Sequence, residues 1–159
     1  MTRQPELEAV ARSIIDSSLY MTLGTADEAG KPWASPVYFA PAEYREFHWV
    51  SDPDATHSRN LAARPELGIA IFDSRQPIGT GTGVYISAVA EELTGEELDR
   101  GIEIFSRRSL DHGGEEWTRA DVLAPADRRL YRATASETFV LGPHDRRIPV
   151  SLGSASSAE

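Results

Sequence analysis

The run Thr56-His57-Ser58-Arg59-Asn60 concentrates groups that can hold an anion. It follows the strand-like Phe47–Ser51 and the proline-ordered loop Asp52-Pro53-Asp54-Ala55, so it opens a helix expected over Thr56–Arg64. A helix start offers N–H groups without internal partners and the positive end of the helix dipole. Thr56 and Ser58 add hydroxyl donors, and Arg59 adds a charged fork suited to phosphate. The same residues equally suit an ordinary helix capped by Thr56 or Asp54 with an exposed arginine, ended by Pro65.

Other motifs carry less chemistry. Gly79-Thr80-Gly81-Thr82-Gly83 lacks the third glycine of a dinucleotide fingerprint, because Val84 stands there and a strand follows, and no lysine follows it as in a triphosphate loop. It reads either as a flexible loop or as a backbone that approaches a ligand closely. The four histidines, His48, His57, His112 and His144, sit in separate segments without an HExxH pair, so no metal site is expected. Asp111-His112 and His144-Asp145 read as solvated loops. No G-x-S-x-G elbow supports a serine hydrolase, and the helix dipole accounts for Glu96-Glu97. No catalytic acid or base is assigned.

The elements that must position these residues follow from periodicity. Leu7, Val10 and Ile14 recur at helical spacing, giving an amphipathic helix over Pro5–Ser17. Leu19–Thr25 alternates as a strand, Asp27–Pro32 is a turn, and Trp33–Ala40 returns. Pro36 within that returning strand implies an edge, a bulge or a ligand-facing gap. Pro41–Glu46 is expected as a loop, Phe47–Ser51, Leu67–Phe72, Val84–Leu93 and Arg129–Leu141 as strands, and Asp111–Asp127 as irregular. Thr94-Gly95-Glu96-Glu97 has capping-box spacing before a helix that aligns Leu98, Ile102 and Phe105. Six strands in hairpin succession, without βαβ alternation, predict a mainly β fold: an antiparallel barrel with peripheral helices.

With 159 residues, 40% of them hydrophobic and 26% charged, the chain suits one globular domain over residues 1–150, with a disordered Ser- and Ala-rich tail over 151–159. The net charge of -9 disfavours nucleic acid as a partner, while a local anion pocket remains compatible with it. The absence of cysteine, of a signal-like start and of any apolar run near the roughly 18 residues needed to span a bilayer leads to the expectation of a cytoplasmic protein without membrane partners.

Three segments in order, Leu23–Phe39, then Phe47–Ser51 with Thr56–Leu61, then Arg64–Phe72, resemble the pyridoxamine 5'-phosphate oxidase-like flavin-binding split barrels, over roughly Val10 to Leu141. The resemblance implies a six-stranded antiparallel split barrel that forms a homodimer and holds FMN, or the deazaflavin F420, at the interface. It implies that Ala34, Ser35, Pro36 and Val37 run along the flavin ring and that Val50 and Ser51 border its polar edge or ribityl chain. The phosphate would sit against His57, Ser58, Arg59 and Asn60, and Gly83–Tyr85 would close the site in part from the opposite subunit. Two features depart from the oxidase: the second strand carries no basic residue, and Asn60 stands where the oxidase has a second cation. Its C-terminal substrate motif also has no clear match. The resemblance therefore implies a flavin-dependent oxidoreductase acting by hydride transfer on a small planar substrate, without naming pyridoxamine phosphate. A non-catalytic flavin store or sensor is a rival, as is a haem protein with His48, His57 or His144 as axial ligand.

Overall fold

A computed structural model describes residues 3–153. The expected tail beyond Gly153 lies outside the described residues, while Leu152 packs in the core at 3% exposure. Helix α1 (Gln4–Ser17) leads into strands β1 (Tyr20–Ala26), β2 (Pro32–Tyr38), β3 (Ala40–Ala42) and β4 (Glu46–Ser51). Helix α2 (Thr56–Ala63), β5 (Glu66–Phe72), β6 (Gly83–Glu92), α3 (Gly95–Asp111), β7 (Arg129–Leu141) and β8 (Arg147–Val150) complete the chain. All pairings are antiparallel.

Alternation explains the barrel interior. In β1, Met21, Leu23 and Thr25 are buried while Tyr20 and Gly24 are exposed, and Leu67, Ile69 and Ile71 of β5 alternate the same way. These side chains meet Val37, Phe39, Phe47, Trp49, Val84 and Ile86 in one core, against which Leu7, Ile14 and Ile15 of α1 pack. Strand β4 breaks the alternation, because Phe47, His48 and Trp49 are all buried. The reason is a second cluster outside the barrel, in which Ala40 and Leu130 are covered by Leu98 and Phe105 of α3. A strand covered on both faces reads as a continuous apolar run.

The sheet runs β2-β1-β5-β6-β7-β4-β3, with β8 added beside β7. Strands β2 and β3 are two arms of one strand bent at Phe39, whose N–H bonds the Leu19 carbonyl. The first arm pairs with β1 and the second with β4, so the ladder returns on itself and closes a barrel of six main strands. The eight strands thus comprise the six expected, the bend that divides one of them, and β8. Pro41 and Ala42, expected in the loop Pro41–Glu46, instead continue the strand from Ala40 and pair as Pro41↔Phe47 and Ala42↔Glu46. The β8 hairpin turns through His144 and Asp145 at φ of 58° and 61°, a left-handed pair that composition alone did not signal. Over Pro32–Tyr38, β2 pairs only with β1, which is where a residue without an N–H is tolerated, so Pro36 sits on an edge. Long β7 carries a bulge: Ser87 faces Glu137 and Ala88 faces Ala135, leaving Ser136 extra, its Oγ donating to the Ser87 carbonyl at 2.9 Å.

Two expected caps are not made. Helix α2 begins after Ala55 and α3 after Thr94, neither with a side-chain cap bond, so neither Thr56 nor Asp54 caps α2. Instead Asp52 Oδ1 accepts the Asp54 N–H at 2.8 Å, which turns the loop before α2. The Asp111–Asp127 stretch, expected to be irregular, holds a 3-10 turn over Arg119–Val122 closed by a Thr118–Asp121 capping box.

His48 is fully buried, and its Nδ1 lies 3.1 Å from the Ala40 carbonyl, which can only accept, so Nδ1 carries the proton. Burial pushes its pKa below the ordinary histidine value. The unfolded chain takes up a proton at this residue near pH 6.5 and the folded chain does not, so its contribution to stability is present above that pH and lost as pH falls below it. The decline in melting temperature from pH 6.5 to pH 5 is expected to be shallower in His48→Gln than in the wild type, as thermal melts across that range will measure.

Candidate functional site

The bend at Phe39 brings the last residues of β2 over the end of β4, and the Asp52 turn then delivers the start of α2 to the same place. A cavity of about 500 Å³ lies there, lined by Pro36, Val37 and Tyr38 of β2, Val50 and Ser51 of β4, and Ala55 and His57 at the helix start. Its opposite wall comes from Phe105 and Ser109 of α3, Glu115 and Trp117 beyond it, and Arg128 before β7. A smaller apolar cavity of about 260 Å³ lies under Gly81–Gly83, away from these residues. The larger one joins a helix start to polar side chains and carries the chemistry.

Five of the ten residues singled out from the sequence line this cavity: Pro36, Val37, Val50, Ser51 and His57. Ser35 is half-buried in the β1–β2 ladder opposite Leu23. Thr56 and Arg59 are exposed on α2, and among the described residues Arg59 makes no ion pair. Ser58 is buried on another side of the helix, beside Pro53, Tyr131 and Glu92, where its Oγ has no partner. Asn60 is buried and donates from Nδ2 to Thr25 Oγ1 at 3.0 Å, tying α2 to β1. That contact accounts for an amide at this position, since a lysine there would be buried against a hydroxyl.

Ser51 Oγ and His57 Nε2 lie 2.8 Å apart, and both residues are less than a tenth exposed. Burial lowers the His57 pKa, so the imidazole is neutral at pH 7. The first turn of α2 leaves the N–H groups of Thr56, His57 and Ser58 without helical acceptors. Arg128 adds a guanidinium that pairs with no carboxylate among the described residues. Asp52 and Glu115 also line the cavity, so its charge is mixed. The arrangement can hold an anionic group at the helix start and a flat apolar body between β2 and the Phe105–Trp117 wall, whose rings meet edge-on at 5.6 Å.

Sequence reasoning missed the second wall. Arg128, Trp117 and Glu115 lie some 60 to 75 residues beyond the helix start, in a stretch without periodicity. Their one sequence signal is the buried serine pair of α3: Ser106 Oγ accepts the Trp117 N–H at 2.9 Å, and Ser109 Oγ donates to the Glu115 carbonyl at 2.7 Å. Serines on the apolar face of an amphipathic helix mark a segment that must be fastened there. The histidines stay apart: His48 is enclosed beneath α3, His144 is exposed in the β8 turn, and only His57 lines the cavity. Among the described residues no three His, Asp or Glu side chains gather as metal ligands, and no helix is long and apolar enough to cross a membrane.

Comparison with solved structures shows the same fold. A haem-binding protein from Mycobacterium smegmatis superposes with a TM-score of 0.71 at 24% identity, over 95% of this chain and 59% of that one. A haem storage protein from Vibrio cholerae gives 0.68 at 20% identity, over 84% and 94% of the two chains. An F420 reductase gives 0.60 at 17% identity, over 80% and 94%. The chain thus spans less than two thirds of the Mycobacterium smegmatis protein's length. No curated protein matches it by sequence. The family model described as pyridoxamine 5'-phosphate oxidase matches residues 7–142, which take in the whole closed barrel from β1 to β7 and both walls of the cavity, and the chain belongs to that family.

Proposed function

We propose that this chain is a flavin-dependent oxidoreductase that binds FMN, or alternatively F420, in the cavity between β2, β4 and the start of α2. The observation that carries this reading is the convergence of Pro36, Val37, Val50, Ser51 and His57 on one cavity at the start of α2, which Arg128 lines with a guanidinium that has no carboxylate partner among the described residues. Those groups fit the phosphate end of such a cofactor, and the apolar faces of Pro36 and Val37 fit its ring. Thr56, Ser58, Arg59 and Asn60 belong to the site as the helix turn that presents the N–H groups, with exposed Arg59 adding attraction at the mouth. A bound flavin supplies two-electron transfer as hydride at its ring, and the protein supplies position and electrostatics. Solved structures of the same fold include an F420 reductase, which favours the deazaflavin as the alternative. A small planar substrate is expected, in a cytoplasmic setting.

A haem is the second reading, favoured by His57 on the cavity wall and by haem-binding proteins of the same fold. Ligation through Nε2 would break the 2.8 Å bond to Ser51, so the geometry favours the flavin. Titration of the purified chain with FMN, F420 and haemin separates the readings: quenching of flavin fluorescence supports the first, and a Soret band with no flavin uptake replaces it with the second.

If Arg128 bonds the phosphate directly, Arg128→Ala should weaken FMN binding by about 1.5–3 kcal/mol, the range for a charge-assisted hydrogen bond. Arg59→Ala should weaken it less, because Arg59 does not line the cavity. Calorimetric titration of the two variants checks the order, and equal losses would return Arg59 to a direct contact.

A homodimer is part of the same reading. On the outer face of β1, β5 and β6, Gly24 pairs with Gly68 and Gly68 with Ser87, so this row carries little side chain at a shallow depression of about 360 Å³. A side chain at Gly68 would meet nothing within 4 Å, so Gly68→Arg should fold and yet block a partner on this face. Analytical ultracentrifugation is expected to show a dimer for the wild type and a monomer for Gly68→Arg.

A further inference from the structure

One side chain on the cavity wall joins it to an exposed histidine. Tyr38, the last residue of β2, lines the cavity, and its hydroxyl lies 2.7 Å from Nδ1 of His112. The Tyr38 ring is held edge-on against Phe105 at 5.6 Å and against the His112 ring at 5.9 Å. His112 caps the C-terminal end of α3, where its own N–H bonds the Arg108 and Ser109 carbonyls, so its backbone is fixed while its side chain is exposed to water. One hydrogen bond therefore connects the wall of the cavity to bulk solvent.

The groups facing the phenol are Arg108 and Asp111 of α3 and Tyr20 of β1, together with His112. Burial acts most strongly on it and raises its pKa, with Arg108 opposing, so Tyr38 keeps its proton at neutral pH. A phenol that stays protonated, borders a cavity and touches an exposed imidazole has the protonation state and the solvent contact that a general acid needs.

We propose that Tyr38 is the proton donor for reduction of a planar conjugated acceptor in this cavity, resupplied from solvent through His112. The proposal rests on the flavin reading above, which supplies the reductant: a reduced flavin or deazaflavin, oxidised as it gives up a hydride. With an α,β-unsaturated carbonyl, the hydride forms a C–H bond at the β-carbon and the π-electron pair moves to the carbonyl, leaving an enolate. The Tyr38 O–H bond breaks and its proton goes to the enolate, giving the saturated carbonyl. The Tyr38 oxygen then takes a proton from His112 Nδ1, and His112 recovers one from water at Nε2. Phe105 and Trp117, packed edge-on against each other, form the wall across from β2 that a flat acceptor would face. Tyr38 is the catalytic residue of this step, and His112 acts through it.

The first test needs no cofactor. The Tyr38 phenol is titrated by ultraviolet absorbance, taken as the difference between wild type and Tyr38→Phe, and His112→Gln is expected to move its midpoint; an unmoved midpoint overturns the relay. The second test uses the protein loaded with FMN or F420, whichever the titration shows to bind, and cyclohexenone as acceptor. Tyr38→Phe is expected to slow transfer to the acceptor about 100-fold or more, the range for loss of a general acid. His112→Gln is expected to slow it less, with recovery as small buffer acids are added. Transfer by Tyr38→Phe at the wild-type rate overturns the proposal. A wild-type chain that takes up neither cofactor overturns the reading beneath it, and that result appears in the binding titration before any acceptor is present.

Discussion

The bend at Phe39 is the constraint on which the rest of the molecule depends. One strand pairs with β1 before it and with β4 after it, and without that change of partner the ladder would remain an open sheet with two unpaired edges. The bend is held from both sides. Inside, the Phe39 ring is fully buried and lies 6.1 Å from Phe47; outside, the Arg108 guanidinium covers it at 5.3 Å. Arg108 also donates to the Ser18 carbonyl at 2.9 Å, just beyond α1. One arginine of α3 therefore joins the end of α1, the barrel corner and the second core. The cavity exists because this corner carries Pro36, Val37 and Tyr38 across the end of β4.

Much of this was legible because the barrel is written in period two. Strand β7 was found over its full extent, Arg129 to Leu141, since its alternation is uninterrupted at the level of pattern and its bulge at Ser136 costs only one residue of register. Pro36 narrowed its own position to an edge, a bulge or a ligand-facing gap because it brings no donor to a ladder, and the pairing of β2 with β1 alone makes it an edge. What stayed hidden depends on tertiary contacts. Pro41 makes the stretch after Ala40 resemble a loop, and only the presence of β4 alongside gives Pro41 and Ala42 their pairing. The cap at Thr94 has the right residues at the right spacing, yet its side chain makes no cap bond, because spacing permits a contact without requiring it.

The helix start shows the same division within a single turn. Its residue types announced an anion cradle, but a helix turn points consecutive side chains in different directions. His57 faces the cavity, Ser58 another side of the helix, Arg59 is exposed and Asn60 bonds to β1. Composition counts all five residues alike, whereas geometry gives the cavity one of their side chains, that of His57. The guanidinium that lines the cavity is that of Arg128, far along the chain, and not that of Arg59. A guanidinium with no carboxylate partner is notable in a chain of net charge -9, where all five arginine side chains on α3 and β7 are paired with a glutamate or a carbonyl.

The two walls of the cavity are held by different physics. The wall of β2 and β4 is fixed by ladder bonds on a closed barrel, so moving Val37 or Ser51 means breaking strand pairing. The facing wall of Glu115 and Trp117 is a segment fastened to α3 by the hydroxyls of Ser106 and Ser109 and by packing of Trp117 on Phe105. Substitutions in that segment leave the ladder intact while changing the width and charge of the opening. A barrel built this way holds the wall of β2 and β4 through its ladder and leaves the wall of Glu115 and Trp117 to side-chain contacts, which is why membership of the family fixes the fold of this chain more firmly than it fixes what its cavity holds.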